Sequence, residues 1–353
     1  MQKKGVVVLG ATGLVGQRLV ADLQSHPWFD LQGIAASEKN VGRKYSDAVN
    51  WRVEKPLSAE AAEMTLLDAN VKAVKAACGA EFVMSCLPGG IAKVAEQEFA
   101  AAGMAVFSKA SDNRMEKDVP LIIPEVNPGH AELVKIQQKN RGWSGFITTD
   151  PNCSTTGLVL SLFPIAKFGL KKVVVTTMQA LSGAGIPGVA SLDALGNVIP
   201  YIGGEEEKME NEPKKILGTL RNGAIEDSRV EFSASCNRVP VADGHMESVF
   251  VQLEQKPSVE ELKKAWNSFS AEPQKLGLPS APAKPTLVRE EPNRPQPQKD
   301  VFEGNGMTVV IGRVRLDAVM GGVKYTCLSH NLVRGAAGEA LLQAEFFAAK
   351  KLF

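Results

Sequence analysis

The chain has 353 residues, enough for two domains at roughly 100 to 200 residues each. Hydrophobic residues make up 44% and charged residues 22%, a globular balance that excludes a disordered chain. Lys and Arg number 40 against 39 Asp and Glu, a net charge of +1 that argues against a nucleic-acid-binding face or a polybasic membrane anchor.

The first element is Gly5-Val6-Val7-Val8-Leu9, an apolar run of the kind that forms a strand buried on both faces of a parallel sheet. A glycine turn, Gly10 to Gly16, leads into a helical pattern with apolar residues at 15, 19, 20 and 23. Because this turn follows Met1-Gln2-Lys3-Lys4 so closely, there is no room for the apolar centre of a signal peptide, and a cytoplasmic protein is expected. The longest apolar runs are far short of the roughly 20 residues of a membrane helix.

Strands are then expected at Leu31–Ala36, Glu81–Ser85 and Met104–Phe107, with a helix over Ile91–Ala102. This alternation predicts a Rossmann-like, doubly wound parallel sheet over residues 1–150. Gly145–Thr149 reads as its last strand, and Asp150-Pro151-Asn152-Cys153-Ser154 as a turn into a helix from Thr155 to about Lys167. Residues 151–330 read as an α+β domain with a mixed sheet, from strands near 173–179, 248–253, 308–316 and 323–328. The proline-rich stretch 279–297 reads as an extended surface arm. A C-terminal helix over 331–353 is expected to pack back on the first domain.

Three features carry chemistry. A strand, a turn with Gly10, Gly13 and Gly16, and a helix form the arrangement a dinucleotide pyrophosphate needs, since glycines allow close backbone approach and a helix start offers free amides. After the second strand, where an NAD site usually has an acidic residue, stands Ser37, followed by Glu38 and Lys39 with Arg43 and Lys44 nearby; the serine and the cations favour NADP as the expected cofactor, against the single charge of Glu38. Cys153 sits where a turn meets a helix, a place that favours thiolate and suits a nucleophile, with helix amides available to an oxyanion. The other cysteines, Cys78, Cys86, Cys236 and Cys327, read as small core residues, and with four scattered histidines no metal site is indicated. His245, after Pro240 and Gly244, could serve as acid and base, and Arg238 could clamp a carboxylate.

Six segments in order, GATGLVGQR at 10–18, PNCST at 151–155, MQALSGAG at 178–185, IPYIGGEEEKM at 199–209, NRVPVADGH at 237–245 and HNLVRGAAG at 330–338, carry a resemblance. Together they resemble the aspartate-semialdehyde dehydrogenase family, in its archaeal and fungal branch. The resemblance implies Cys153 as nucleophile, His245 as acid and base, and Gln179 as the amide that orients substrate. It implies Arg238 on the substrate carboxylate and Glu205 on its amino group, with the choice among Glu205, Glu206 and Glu207 left open. Lys208 and Arg114 would hold phosphate, and Asn152 would lie beside the nucleophile. For NADP it implies Gly10, Thr12, Gly13, Leu14, Val15, Ser37, Lys39 and Ser85, with Ser182, Gly183 and Asn331 by the nicotinamide.

The activity so implied is reductive dephosphorylation of 4-aspartyl phosphate to aspartate 4-semialdehyde, in the synthesis of lysine, methionine and threonine, by a homodimer or homotetramer. Ser108-Lys109 stands where this family commonly has Ser-Asn, Glu212-Pro213 where it has Glu-Thr, and Ser85 to Gly90 forms an unusual cofactor loop. An acyl-CoA reductase of the malonyl-CoA type and a Cys-His hydrolase without a redox step are the alternatives.

Overall fold

A computed structural model describes residues 3–353. Strand β1 (Lys4–Leu9) is buried along nearly its whole length. Val6 and Val8 share one apolar cluster with Leu19, Leu341 and Phe346, while Val7 and Leu9 share another with Val74, Phe99 and Ile147. Packing on both faces removes any need for polar alternation, hence the unbroken apolar run in the sequence. There follow α1 (Leu14–Leu23), β2 (Phe29–Ala36), β3 (Leu67–Asp68), β4 (Phe82–Ser85), α2 (Ala92–Ala101), β5 (Ala105–Ser108) and β6 (Phe146–Thr149). The six strands run parallel in the order β3-β2-β1-β4-β5-β6, the doubly wound sheet expected. Strand order reverses between β1 and β4, and such folds bind ligands outside the carboxyl ends of the strands at that point.

Helix α3 (Cys153–Leu162) leads to a second sheet made from β7 (Leu170–Gln179), β10 (Glu231–Arg238), β11 (His245–Leu253), β12 (Thr286–Val288), β13 (Val309–Asp317) and β14 (Gly322–Ser329). Between β7 and β10 lie α4 (Glu205–Ile216) and a small hairpin of β8 (Thr219–Arg221) and β9 (Ala224–Glu226). The order is β10-β7-β11-β14-β13-β12, with parallel outer pairs and antiparallel inner ones, a mixed sheet. Val173 and Val175 of β7 pack with Leu158, Leu162 and Trp266, while Val174 and Thr176 between them are exposed. The period of two thus records one covered and one open face.

Four expectations need correction. The helix after the junction stops at Leu162 and continues as a tighter 3-10 turn over Phe163–Phe168, because Pro164 lacks an amide and crowds the preceding turn. The stretch 279–297 is not all surface arm: Thr286–Val288 forms edge strand β12, parallel to β13, and Thr286 and Val288 are buried. Proline just ahead of it, at 285, is compatible with an edge position. His245 lies on β11, not in the loop before it. The C-terminal α-helix, α5, spans only Gly338–Ala349 and is preceded by a wide π-turn over Val333–Ala337.

Helix α5 lies in the core of the first sheet, where Phe347 stacks near Phe107 and Phe146. Among the described residues, no helix is long and apolar enough to cross a membrane.

Candidate active site

A cleft of about 540 Å³ runs between the two sheets. Cys153 lines it as the first residue of α3, capped by Asn152, whose side-chain Oδ1 accepts from the amides of Ser154 and Thr155 at 3.0 and 3.2 Å. This cap fixes the turn, and it also occupies two amides that the sequence offered to an oxyanion. The thiol's protonation is opposite to the direction expected at a helix start. Burial pushes Cys153 up to about 12 and the Glu205 carboxylate adds to the rise, against the opposing charges of Lys109 and Arg114. Cys153 is therefore a thiol at neutral pH.

His245 is buried, with Nδ1 accepting from the amide of Ala180 at 3.1 Å. That bond leaves the ring proton on Nε2, which is buried and has no partner within the protein. Burial, with Arg238 nearby, pushes the ring down to about 3, so it is neutral. The geometry favours the donor half of the acid and base role. An added Cβ on Gly183 would lie 2.7 Å from Arg238 Nη1 and 3.1 Å from His245 Nε2, so glycine there leaves room for both side chains, with Arg238 in the cleft wall and His245 directly behind Gly183.

The three consecutive glutamates separate clearly. Glu205 is buried and lines the cleft, and its Oε1 accepts from Asn152 Nδ2 and Gln179 Nε2, both at 2.9 Å. Glu206 instead accepts from the amide of Cys236, and Glu207 is exposed. Gln179 stands behind Glu205, outside the cleft wall, its own oxygen held by Thr177. Lys208 lines the cleft with Nζ 3.6 Å from Glu205 Oε2. Arg238 donates to the carbonyl of Ala180 and lines the cleft, and no ion pair to it occurs among the described residues. Glu205 is the carboxylate whose charge acts on Arg238 without pairing with it, which leaves the guanidinium fork available to an anion.

Two residues that the sequence marks only as departures from the family pattern gain contacts here that it could not show, because both join distant segments. Glu212 pairs with Arg114 Nη1 at 2.9 Å and accepts from the amide of Asn152 at 2.7 Å, tying the cation to the nucleophile's turn. Lys109 lines the cleft beside Cys153.

Comparison with known proteins decides the family. Residues 5–134 match the model described as semialdehyde dehydrogenase, NAD binding domain, and residues 162–334 the semialdehyde dehydrogenase, dimerisation domain. An aspartate-semialdehyde dehydrogenase of Archaeoglobus fulgidus is 50% identical over 347 residues, covering 98% of both chains. One from Saccharomyces cerevisiae is 42% identical, covering 99% of both. The chain belongs to the aspartate-semialdehyde dehydrogenase family. A crystal structure of that enzyme from Candida albicans with NADP superposes with a TM-score of 0.91 at 38% identity, covering 99% of this chain and 100% of the other. The archaeal and fungal resemblance is borne out.

The other end of the cleft has the features an aspartate-semialdehyde dehydrogenase needs for a dinucleotide. Gly13, Leu14, Val15, Ser182, Gly183 and Asn331 all line it. Asn331 is locked from both sides, accepting from the Gly244 amide and donating to Ser182 Oγ. Helix α1 has no side-chain cap and no acidic residue in its first turn, so its amides face an incoming anion unopposed. Gly10 and Thr12 sit under this turn, outside the cleft wall; a Cβ on Gly10 would be 2.6 Å from the carbonyl of Cys86. Ser37 and Lys39 are exposed beyond β2, whose Ala35 carbonyl accepts from the amides of Gly10 and Ala11.

Ser85 is placed differently from the expectation. It is buried and donates to Glu96, which also accepts from Ser108 and Asn113, so its hydroxyl is already committed. Cys86, Leu87 and Gly89 line the cleft there, which also takes Cys86 out of the purely core role.

Proposed function

We propose that the protein carries out reductive dephosphorylation of 4-aspartyl phosphate to aspartate 4-semialdehyde with NADPH. The observation that carries this reading is the buried, unpaired Arg238 and the buried Glu205 on one cleft with Cys153. A guanidinium and a carboxylate side by side suit the α-carboxylate and α-ammonium of an amino acid, and the cysteine suits its activated side chain. The Candida albicans relative, crystallised with NADP, supports the cofactor.

Cys153 Sγ adds to the acyl carbon, and the thiol proton leaves with the phosphate, giving a thioester on Cys153 and inorganic phosphate. This order suits a group that is a thiol before substrate arrives. Lys208 and Arg114 hold the departing phosphate; Glu212 fixes Arg114 while its Nε is without a protein partner. The nicotinamide cofactor, held by Gly13, Leu14, Val15, Ser182 and Asn331, supplies a hydride to the acyl carbon when bound. His245 Nε2–H donates to the oxygen of the tetrahedral adduct on Cys153, collapse of that adduct breaks its C–S bond and releases the aldehyde, and the departing sulfur takes up one proton from solvent to return Cys153 to the thiol. Gln179 and Asn152 hold Glu205 in place for the substrate amine.

Residues 1–150 with 331–353 form the cofactor domain in this reading, and 151–330 the catalytic and dimerisation domain. The open face of the second sheet, with Val174 at 41% exposure, suits assembly as a homodimer or homotetramer. Five free cysteines suit the cytoplasm.

The test is reduction of NADP by aspartate semialdehyde. It is expected to require phosphate or arsenate and to fall at least a thousandfold in Cys153→Ser. NADPH oxidation by malonyl-CoA without the phosphate reaction would move the protein to the acyl-CoA reductases. Turnover without nicotinamide would make it a hydrolase.

A further inference from the structure

Lys109 follows directly on β5, and its side chain is only 10% exposed. Its ammonium lies 3.2 Å from Asp150 Oδ2 and donates to the carbonyls of Pro151 at 3.3 Å and Gly335 at 3.0 Å. These partners hold Cys153 from two sides. Pro151 belongs to the turn that enters α3. Gly335 belongs to the π-turn before α5, and packs so closely that a Cβ there would be 2.7 Å from Cys153 Cβ. The Lys109 carbonyl in turn accepts from Arg114 Nη2 at 2.7 Å. One side chain therefore joins the first sheet, the nucleophile's turn and the C-terminal segment.

We propose that Lys109 is a positioning residue for the nucleophile: it clamps the backbone around Cys153 and places a positive charge beside the thiol. The inference rests on Cys153 as nucleophile. A neutral donor would satisfy two carbonyls, but Asp150 is buried and needs a counter-charge, which makes an ammonium the fitting group. The charged groups facing the thiol are Glu205 from α4, Lys109 and Arg114 from the segment after β5, and Arg238 at the end of β10, with His245 neutral. Asp150, Arg334, Glu125 and Glu339 stand behind Lys109, where Arg334 is paired with both glutamates. Lys109 is thus the cation that both touches this turn's backbone and opposes Glu205.

The experiment is alkylation of Cys153 by iodoacetamide across pH 7 to 10 in the full-length protein without substrate or cofactor, so its outcome does not depend on which acyl carrier is used. Cys153→Ser gives the background from the other cysteines. Lys109→Gln keeps donors for the carbonyls and loses the charge. It is expected to slow alkylation about tenfold at pH 8, equivalent to one pH unit in the thiol. Lys109→Arg is expected to stay within about threefold of the parent, and kcat is expected to follow the same order with KM for the semialdehyde little changed. A Lys109→Gln profile that overlays the parent's overturns the proposal, as does a Lys109→Arg variant as slow as Lys109→Gln. Circular dichroism melts verify folding, and Lys109→Met stands in under the same criteria if Lys109→Gln does not fold.

Discussion

Glu205 has two effects that pull in opposite directions. Its carboxylate is aimed at the cleft by Asn152 and Gln179, ready for a cation, yet its charge pushes the neighbouring thiol upward. The sign of the pH dependence follows. The parent's alkylation rate is expected to climb about tenfold per pH unit from 7 to 10 without a plateau, because the thiol lies near 12. Glu205→Gln removes the opposing charge, lowers the thiol's pKa and is expected to raise the rate at pH 8 by roughly threefold to tenfold. A rate that stays level or falls would show that Glu205 does not act on Cys153. The same residue shows why charged runs are hard to read in sequence: Glu205, Glu206 and Glu207 are chemically equal in the chain, and only the orientation of α4 gives each a different neighbour.

At the scale of elements, the glycine turn before α1 contains glycines needed for different reasons. A Cβ on Gly16 would be 2.3 Å from the Gly10 carbonyl and 2.7 Å from Ala11 Cα, so the turn cannot close around a side chain there. Gly13 is exposed on the cleft, and its Cβ would meet only the Gly10 carbonyl at 3.5 Å, an ordinary contact. The fold therefore does not require glycine at 13, whereas the close approach of a dinucleotide in the proposed cofactor site would. Gly16→Ala is expected to lower the melting temperature by several degrees. Gly13→Ala is expected to melt with the parent while weakening NADP binding at least tenfold, measured by calorimetry. Equal affinities for parent and Gly13→Ala would remove this turn from the cofactor site.

For the whole molecule, the C-terminal segment links the two halves. Helix α5 places Phe347, fully buried, against Phe107 and Phe146 in the first sheet, while the π-turn before it touches Cys153 through Gly335. Phe347→Ala is expected to destabilise the protein by roughly 3 to 5 kcal/mol, read as a lower urea midpoint in tryptophan fluorescence. A loss below about 1 kcal/mol would mean that the aromatic cluster does not depend on packing of this helix and that the segment folds apart from the sheet. Loosening α5 is also expected to impair catalysis, because the turn that leads into it supplies the Gly335 carbonyl that Lys109 holds beside Cys153.

The sequence by itself determined the parallel sheet, since β1 must bury both faces and so reads as Val6 to Leu9 without a polar break. The glycine turn and the cysteine at a helix start were legible as well, because each is marked by residues that lie within a few positions of one another. It did not reveal β12 inside a proline-rich stretch, where one edge pairing outweighs composition. Nor could it show that Ser85 is spent on Glu96, that His245 carries its proton on Nε2, or that burial lifts the Cys153 thiol. Those properties depend on desolvation and on partners far apart in the chain, such as Glu212 with Asn152 or Lys109 with Gly335, and only the packed tertiary structure brings them together.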